Sequence, residues 1–84
     1  QEPLTGVKLY PNPVKDHLTI KGIPSGNIQL QLLDELGRTV WSVAEMKVFE
    51  NALQLQVPAL SEGIYWIVVT HPQKGVYSQS ITIE

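Results

Sequence analysis

Residues 27–33 read Asn27-Ile28-Gln29-Leu30-Gln31-Leu32-Leu33, and their alternation decides the fold. In an extended chain successive side chains point to opposite faces, so Ile28, Leu30 and Leu32 share one face while Asn27, Gln29 and Gln31 share the other. A strand of this kind is half-buried, with one face in a core and one in water, as in antiparallel sheets.

The same period extends outward in both directions. His17-Leu18-Thr19-Ile20-Lys21 alternates over five residues, Leu53, Leu55 and Val57 alternate with Gln54 and Gln56, and Tyr77, Ile81 and Ile83 lie opposite Ser78, Ser80 and Thr82. Residues Ile64 to Thr70 form a nearly continuous apolar run, which predicts a central strand covered on both faces. Turn chemistry separates these runs. Pro11-Asn12-Pro13 breaks the first strand, because neither proline has an N–H and Asn12 is pushed toward extended geometry. Gly22 to Gly26, Pro58 to Gly63 and His71 to Gly75 read as loops. Asp34-Glu35-Leu36-Gly37 fits a type I turn closed by a left-handed glycine. Ala44 to Glu50 contains good helix formers, but seven uncapped residues make a poor helix, and the stretch reads as the end of a strand followed by a loop. Strands are therefore expected near 5–10, 16–21, 27–34, 38–44, 53–57, 64–70 and 76–83. The fold class is all-β, an immunoglobulin-like antiparallel β-sandwich of about seven strands.

Composition limits what such a domain can do. The chain has 84 residues, with 6 Lys+Arg against 8 Asp+Glu, a formal net charge of −2, and no cysteine. That excludes a disulfide framework and a thiolate zinc site. Six scattered cations on an acidic chain argue against a nucleic-acid partner. No apolar run approaches the roughly 18 residues of a membrane-spanning helix. A chain this short buries about 60–65 % of the surface its unfolded form exposes, so its 43 % hydrophobic content goes almost entirely into one core. A binding or structural role is favoured over a deep active site. The first residue is Gln1, which suggests a piece of something longer. Residues 1–5 are expected to be a flexible tail or linker, and 6–84 the domain.

Chemistry-bearing clusters are scarce. A nucleophilic serine or threonine needs a nearby oriented histidine, yet His17 lies on the polar phase of its strand and His71 lies in a proline-flanked loop, both read as exposed or half-exposed. Asp34-Glu35 is a turn pair with no calcium-loop pattern after it. Gly22 and Gly26 flank a proline and open no helix, so they make no phosphate cradle. No catalytic residue, metal site or cofactor is expected. Trp41, Trp66, Tyr10, Tyr65 and Tyr77 read as core and sheet-face packing, with sugar stacking as the alternative. Trp66 lies on the phase opposite Tyr65, Ile67 and Val69, and can sit on an outer sheet face as a partner surface. In Leu60-Ser61-Glu62-Gly63-Ile64-Tyr65 the leucine plugs the core and Gly63 makes a bend. Tyr65 enters the next strand there, an arrangement similar to the tyrosine corner of immunoglobulin-like folds.

Three signatures in this order carry a family resemblance: Leu9-Tyr10-Pro11-Asn12-Pro13-Val14, Leu33-Asp34-Glu35-Leu36-Gly37-Arg38-Thr39-Val40, and Leu60 to Val69 followed by a last strand at the chain end. Together they resemble the C-terminal sorting domain of type IX secretion (Por secretion) cargo in Bacteroidetes-type bacteria, over about residues 6–84. The resemblance implies a secretion signal without catalytic groups, carried at the C-terminus of parents that include enzymes such as proteases. It implies periplasmic transit, guidance through an outer-membrane translocon, and removal by a sortase-like peptidase. The N-terminal cargo domain of the same chain is then attached to the surface or released.

The resemblance places Pro11, Asn12 and Pro13 in the first motif, Asp34 and Gly37 in the turn motif, and Gly63, Ile64 and Tyr65 in the late motif. Ile81, Thr82, Ile83 and Glu84 fall in the terminal segment needed for export. Ser80 and Glu84 stand where relatives commonly carry basic residues. Cleavage is implied on the N-terminal side, near or before residues 1–6. Recognition is expected at an accessible edge formed by the last strand, with its Ser/Thr face and free terminus offered for strand addition, and such edges also offer a route to a dimer. The competing reading is an immunoglobulin- or fibronectin-like adhesion or carbohydrate-binding module, which predicts an aromatic pair on a face or loop tip.

Overall fold

The computed structural model describes residues 6–84; the tail expected at 1–5 lies outside the described residues. Seven strands follow one another: β1 (Lys8–Tyr10), β2 (His17–Lys21), β3 (Gly26–Leu33), β4 (Thr39–Val48), β5 (Ala52–Gln56), β6 (Gly63–His71) and β7 (Gly75–Ile83). They form a three-stranded sheet in the order β1-β2-β5 and a four-stranded sheet in the order β4-β3-β6-β7. All pairings between these strands are antiparallel. The expected all-β sandwich is the observed architecture.

The alternating residues make the core. Leu18 and Ile20 of β2 and Leu55 of β5 face Ile28, Leu30 and Leu32 of β3, Tyr65, Ile67 and Val69 of β6, and Ile81 and Ile83 of β7, all buried. Val14, Ile23 and Val57 from the connections are buried with them. A slip of one residue in any of these strands would turn its apolar set to solvent, so the burial pattern fixes the register.

Three expectations need correction. β4 continues to Val48 instead of ending at Ala44, because β3 keeps pairing with it as far as Gly26 opposite Val48. A tight turn follows, with Glu50 and Asn51 at φ 55° and 59° and the Ala52 N–H donating to the Phe49 carbonyl. Secondly, β6 is central in its sheet but is not covered on both faces. Tyr65, Ile67 and Val69 are buried, whereas Ile64 and Trp66 on the other face are 50 % and 46 % exposed. Here β6 lies in the interior of the hydrogen-bonded order but on the outside of a two-layer stack, and only one layer covers it. The apolar run therefore reflects two different environments.

The third correction concerns His71. It ends β6 and is buried. Its Nε2 lies 3.1 Å from the Ser25 carbonyl, and its Nδ1 accepts the backbone N–H groups of Gln73 and Lys74, each at 3.2 Å. These bonds set the tautomer, with the proton on Nε2. The ring organises the β6–β7 turn and ties it to the loop before β3. His17, by contrast, is exposed as expected, and its Nδ1 lies 2.8 Å from Asp16.

The sheet edges differ. β4 carries an extra residue at two places relative to β3: Ile28 pairs with Met46 but Leu30 with Val43, and Leu32 pairs with Trp41 but Leu33 with Thr39. Such bulges twist an edge away from pairing, and Glu45 and Lys47 add charge to it. β7 holds unbroken register with β6 from Ile83 opposite Gly63 to Gly75 opposite His71.

Replacing His71 with leucine keeps the volume roughly constant but strands two backbone donors and one acceptor. The expected loss is about 2–4 kcal/mol of unfolding free energy, read from the urea midpoint. A change within about 0.5 kcal/mol would show that these bonds are dispensable.

Candidate functional site

The strand directions divide the sandwich, 32 Å along its longest axis, into two poles. At one lie the start of β1, the loop before β3, the β4–β5 turn and the β6–β7 turn around His71. At the other lie residues 11–16, the β3–β4 turn at 34–38, the loop into β6 and the end of β7. Pro11 to Pro13, Asp34, Gly37, Gly63 to Tyr65 and Ile81 to Glu84 lie at or next to this second pole.

The first motif works by stopping β1. Pro11 and Pro13 offer no N–H to a ladder, so pairing with β2 ends at Tyr10. The chain then crosses to the other sheet. There Val14 forms an isolated parallel bridge with Ile83. The Val14 N–H donates to the Thr82 carbonyl at 2.7 Å, and the Glu84 N–H donates to the Val14 carbonyl at 2.8 Å. The Asn12 side chain completes the arrangement, its Oδ1 accepting the Thr82 N–H at 3.1 Å. Asn12, Thr82, Ile83 and Glu84, named from opposite ends of the sequence, thus form one hydrogen-bonded clamp. Val14 is fully buried within it. Pro11 and Pro13 are exposed and act through the backbone path they impose.

The turn motif is held by one carboxylate. Asp34 Oδ1 accepts the N–H groups of Leu36 and Arg38, both at 2.9 Å, and Oδ2 accepts Arg38 Nε at 2.8 Å. The Gly37 N–H donates to the Asp34 carbonyl at 3.0 Å. Gly37 has φ 84°, the left-handed conformation that the turn requires and that side chains resist. The Arg38 backbone N–H, with smaller help from its guanidinium and the Leu36 N–H, holds the Asp34 carboxyl below its ordinary value.

The late motif meets this turn. Asp34, Leu36 and Arg38 line a shallow hollow together with Gly63, Ile64 and Tyr65. The Tyr65 hydroxyl donates to the Ser61 carbonyl at 2.7 Å, which is the expected tyrosine corner at the entry to the sixth strand. Gly63, Ile64 and Tyr65 pair with Ile83, Thr82 and Ile81 respectively. The late and terminal motifs are therefore the two sides of one ladder. Val14, Ser61 and Arg38 take part through backbone or charge contacts that no periodicity announces; Val14 is one apolar residue among polar and proline neighbours.

The outer face of the four-stranded sheet begins at this pole. Trp66 stands between Leu33 and Ser80 on neighbouring strands, and Val68 between Gln31 and Ser78. Trp41 points inward against the core, and Tyr10 lies on the other sheet with Lys21 Nζ 5.7 Å from its ring centroid. Among the described residues, Trp66 has no aromatic partner on its face. Nor do any three His, Asp or Glu side chains converge as metal ligands among them.

Asp34→Asn tests the turn. Because the folded carboxyl titrates below its ordinary value of 3.8, its charge contributes stability that is present above that value and lost as the pH falls through the folded value. The variant should be less stable than the parent at neutral pH, and the gap should close in acid. A gap independent of pH would assign the effect to shape rather than charge.

The family described as the secretion system C-terminal sorting domain matches residues 8–84, nearly the whole of the described chain. No curated protein matches closely enough to count as a relative. A domain of this kind is a signal for export through the outer membrane and is not itself a catalyst. The chain belongs to the type IX secretion C-terminal sorting domain family.

Proposed function

We propose that the secretion machinery reads this domain at the pole where its motifs meet. The observation that carries the reading is convergence. Pro11-Asn12-Pro13, Gly63-Ile64-Tyr65 and the terminal Ile81-Thr82-Ile83-Glu84 are far apart in sequence but joined at one pole by the Asn12–Thr82 bond, the Val14–Ile83 bridge and the β6–β7 ladder, and the β3–β6 ladder sets the Asp34–Gly37 turn beside Gly63, Ile64 and Tyr65 in one hollow. A receptor touching this pole meets all of them at once, and only when the domain is folded. The terminal residues are then a signal by virtue of being held, with Ser80 and Glu84 replacing the usual basic residues without loss of the clamp.

The opposite pole suits a different step. The first strand begins there, with Lys8 opposite Lys21 at the end of β2. A sortase-like peptidase cutting on the N-terminal side, near or before residues 1–6, would work at the side of the domain where β1 begins, away from the translocon contact. Binding at one pole leaves the junction to the N-terminal cargo domain free for cleavage and for attachment at the surface or release. Transit runs through the periplasm, where a domain without cysteine folds independently of redox conditions. The adhesion or sugar-binding alternative predicts a paired aromatic platform, and among the described residues Trp66 has no aromatic partner on its sheet face.

The test fuses residues 1–84 to a fluorescent reporter with a signal peptide in a host carrying type IX machinery. Export should require the domain, and Asn12→Ala should reduce export more than it reduces the melting temperature of the purified domain. A wild-type fusion that folds and stays in the periplasm would refute the sorting role. An Asn12→Ala variant that is exported normally would leave the sorting role standing and remove the clamp from it.

A further inference from the structure

β7 is an edge strand, but not all of that edge is open. Gly63, Tyr65, Ile67 and Val69 pair with Ile83, Ile81, Gln79 and Tyr77. Thr82 directs its N–H and C=O away from β6, to Asn12 and Val14. In an unbroken antiparallel ladder the outward groups recur every second residue. Val76, Ser78 and Ser80 therefore also direct their backbone N–H and C=O groups outward. No backbone or side-chain bond among the described residues takes them up. The clamp closes the terminal third of the edge and leaves the middle open.

Natural proteins blunt an open edge with charge, proline or bulges. The other edge of this sheet is treated in that way, since β4 has two bulges and carries Glu45 and Lys47. The sequence of β7, Gly-Val-Tyr-Ser-Gln-Ser-Ile-Thr-Ile, contains no charge and no proline. Its neighbour β6, and β3 beyond it, likewise contain no Asp, Glu, Lys or Arg. An incoming strand would thus meet an unbroken, uncharged backbone template, bordered on the outer face by Ser78, Ser80 and Trp66.

We infer that the open edge at Val76, Ser78 and Ser80 accepts an extended, uncharged segment of a protein of the secretion machinery by strand addition. The clamp sets where this added strand must stop. An occupant pairing along β7 runs toward Thr82 and meets Asn12 and Val14, so the Pro11–Val14 segment and the incoming strand abut on the same edge. Main-chain bonds give affinity in this mode, and alternate side chains of the guest give selectivity. The neutral border favours a guest with small polar or aliphatic residues over a charged one. This inference rests on the sorting reading above and assigns its contact to backbone groups.

The test uses the same reporter fusion. Ser78→Pro and Ser80→Pro each delete one outward N–H while leaving the N–H groups that pair with β6 untouched, and an edge tolerates proline at such positions. Ser78→Ala and Ser80→Ala remove only the hydroxyls. The proline variants, shown folded by their melting transitions, should lose roughly tenfold or more of export, and the alanine variants should export normally. Folded proline variants exported at the wild-type level, or alanine variants equally defective, would overturn the inference while leaving the sorting role intact. If proline disturbs folding, hydrogen exchange of the wild-type domain decides. Detergent-extracted outer membrane from the type IX host should slow the amides of Val76, Ser78 and Ser80, and unchanged rates would overturn the inference. A wild-type domain that is dimeric at micromolar concentration, with monomeric proline variants, would assign the edge to a second copy and also overturn it.

Discussion

The structure turns on a short parallel clamp. Val14 exchanges two backbone hydrogen bonds with the last strand, from its N–H to Thr82 at 2.7 Å and to its carbonyl from Glu84 at 2.8 Å. Without it, the crossing at residues 11–14 and the final residues of β7 would share no main-chain hydrogen bond. With it, the chain closes one side of the sandwich, buries Val14 in the core cluster beside Ile83, and fixes the end of β7. The prolines make the crossing possible by ending one ladder before the other begins. Asn12 stabilises the clamp by satisfying the Thr82 N–H, which would otherwise be a free donor on the strand edge.

A small core makes this economy necessary. The chain has no disulfide to limit its unfolded state, so its stability rests on one apolar cluster and on satisfying the polar groups around it. The three local devices do that work at different places. His71 uses both ring nitrogens to hold the β6–β7 turn and the Ser25 carbonyl. Asp34 supplies three acceptor contacts to its own turn. Tyr65 buries its ring and its hydroxyl donates a hydrogen bond to the Ser61 carbonyl. Among the described residues, no buried side-chain nitrogen or oxygen is left without a partner.

Much of the architecture was legible in the sequence because strand burial has a period of two. Ile28-Leu30-Leu32, Leu18-Ile20 and Ile81-Ile83 announced their core face directly, and Gly37 announced its turn. The misreadings share a cause. Periodicity reports how many faces of a strand are apolar, not which are covered, so the apolar run at Ile64–Thr70 suggested two covered faces where the sandwich supplies one. A proline after His71 suggested an exposed loop, although the imidazole is buried by contacts with a loop 46 residues earlier. β4 outlasted its own propensity because β3 was there to pair with it. The candidate site was legible only as separate motifs. Their meeting depends on Val14 and Thr82 main-chain atoms, which leave no mark on residue type.

The central claim is that the motif pole is one cooperative unit held by the clamp. Native-state hydrogen exchange at single-amide resolution tests it most directly, because Val14, Thr82 and Glu84 each donate one of its hydrogen bonds. The account predicts that these three amides exchange together, with a free energy close to that of Ile67 in the central strand, and that Asn12→Ala lowers all three together. Fast exchange of Thr82 and Glu84 while Ile67 stays protected would contradict it, since the terminal segment would then be a frayed end rather than a held signal.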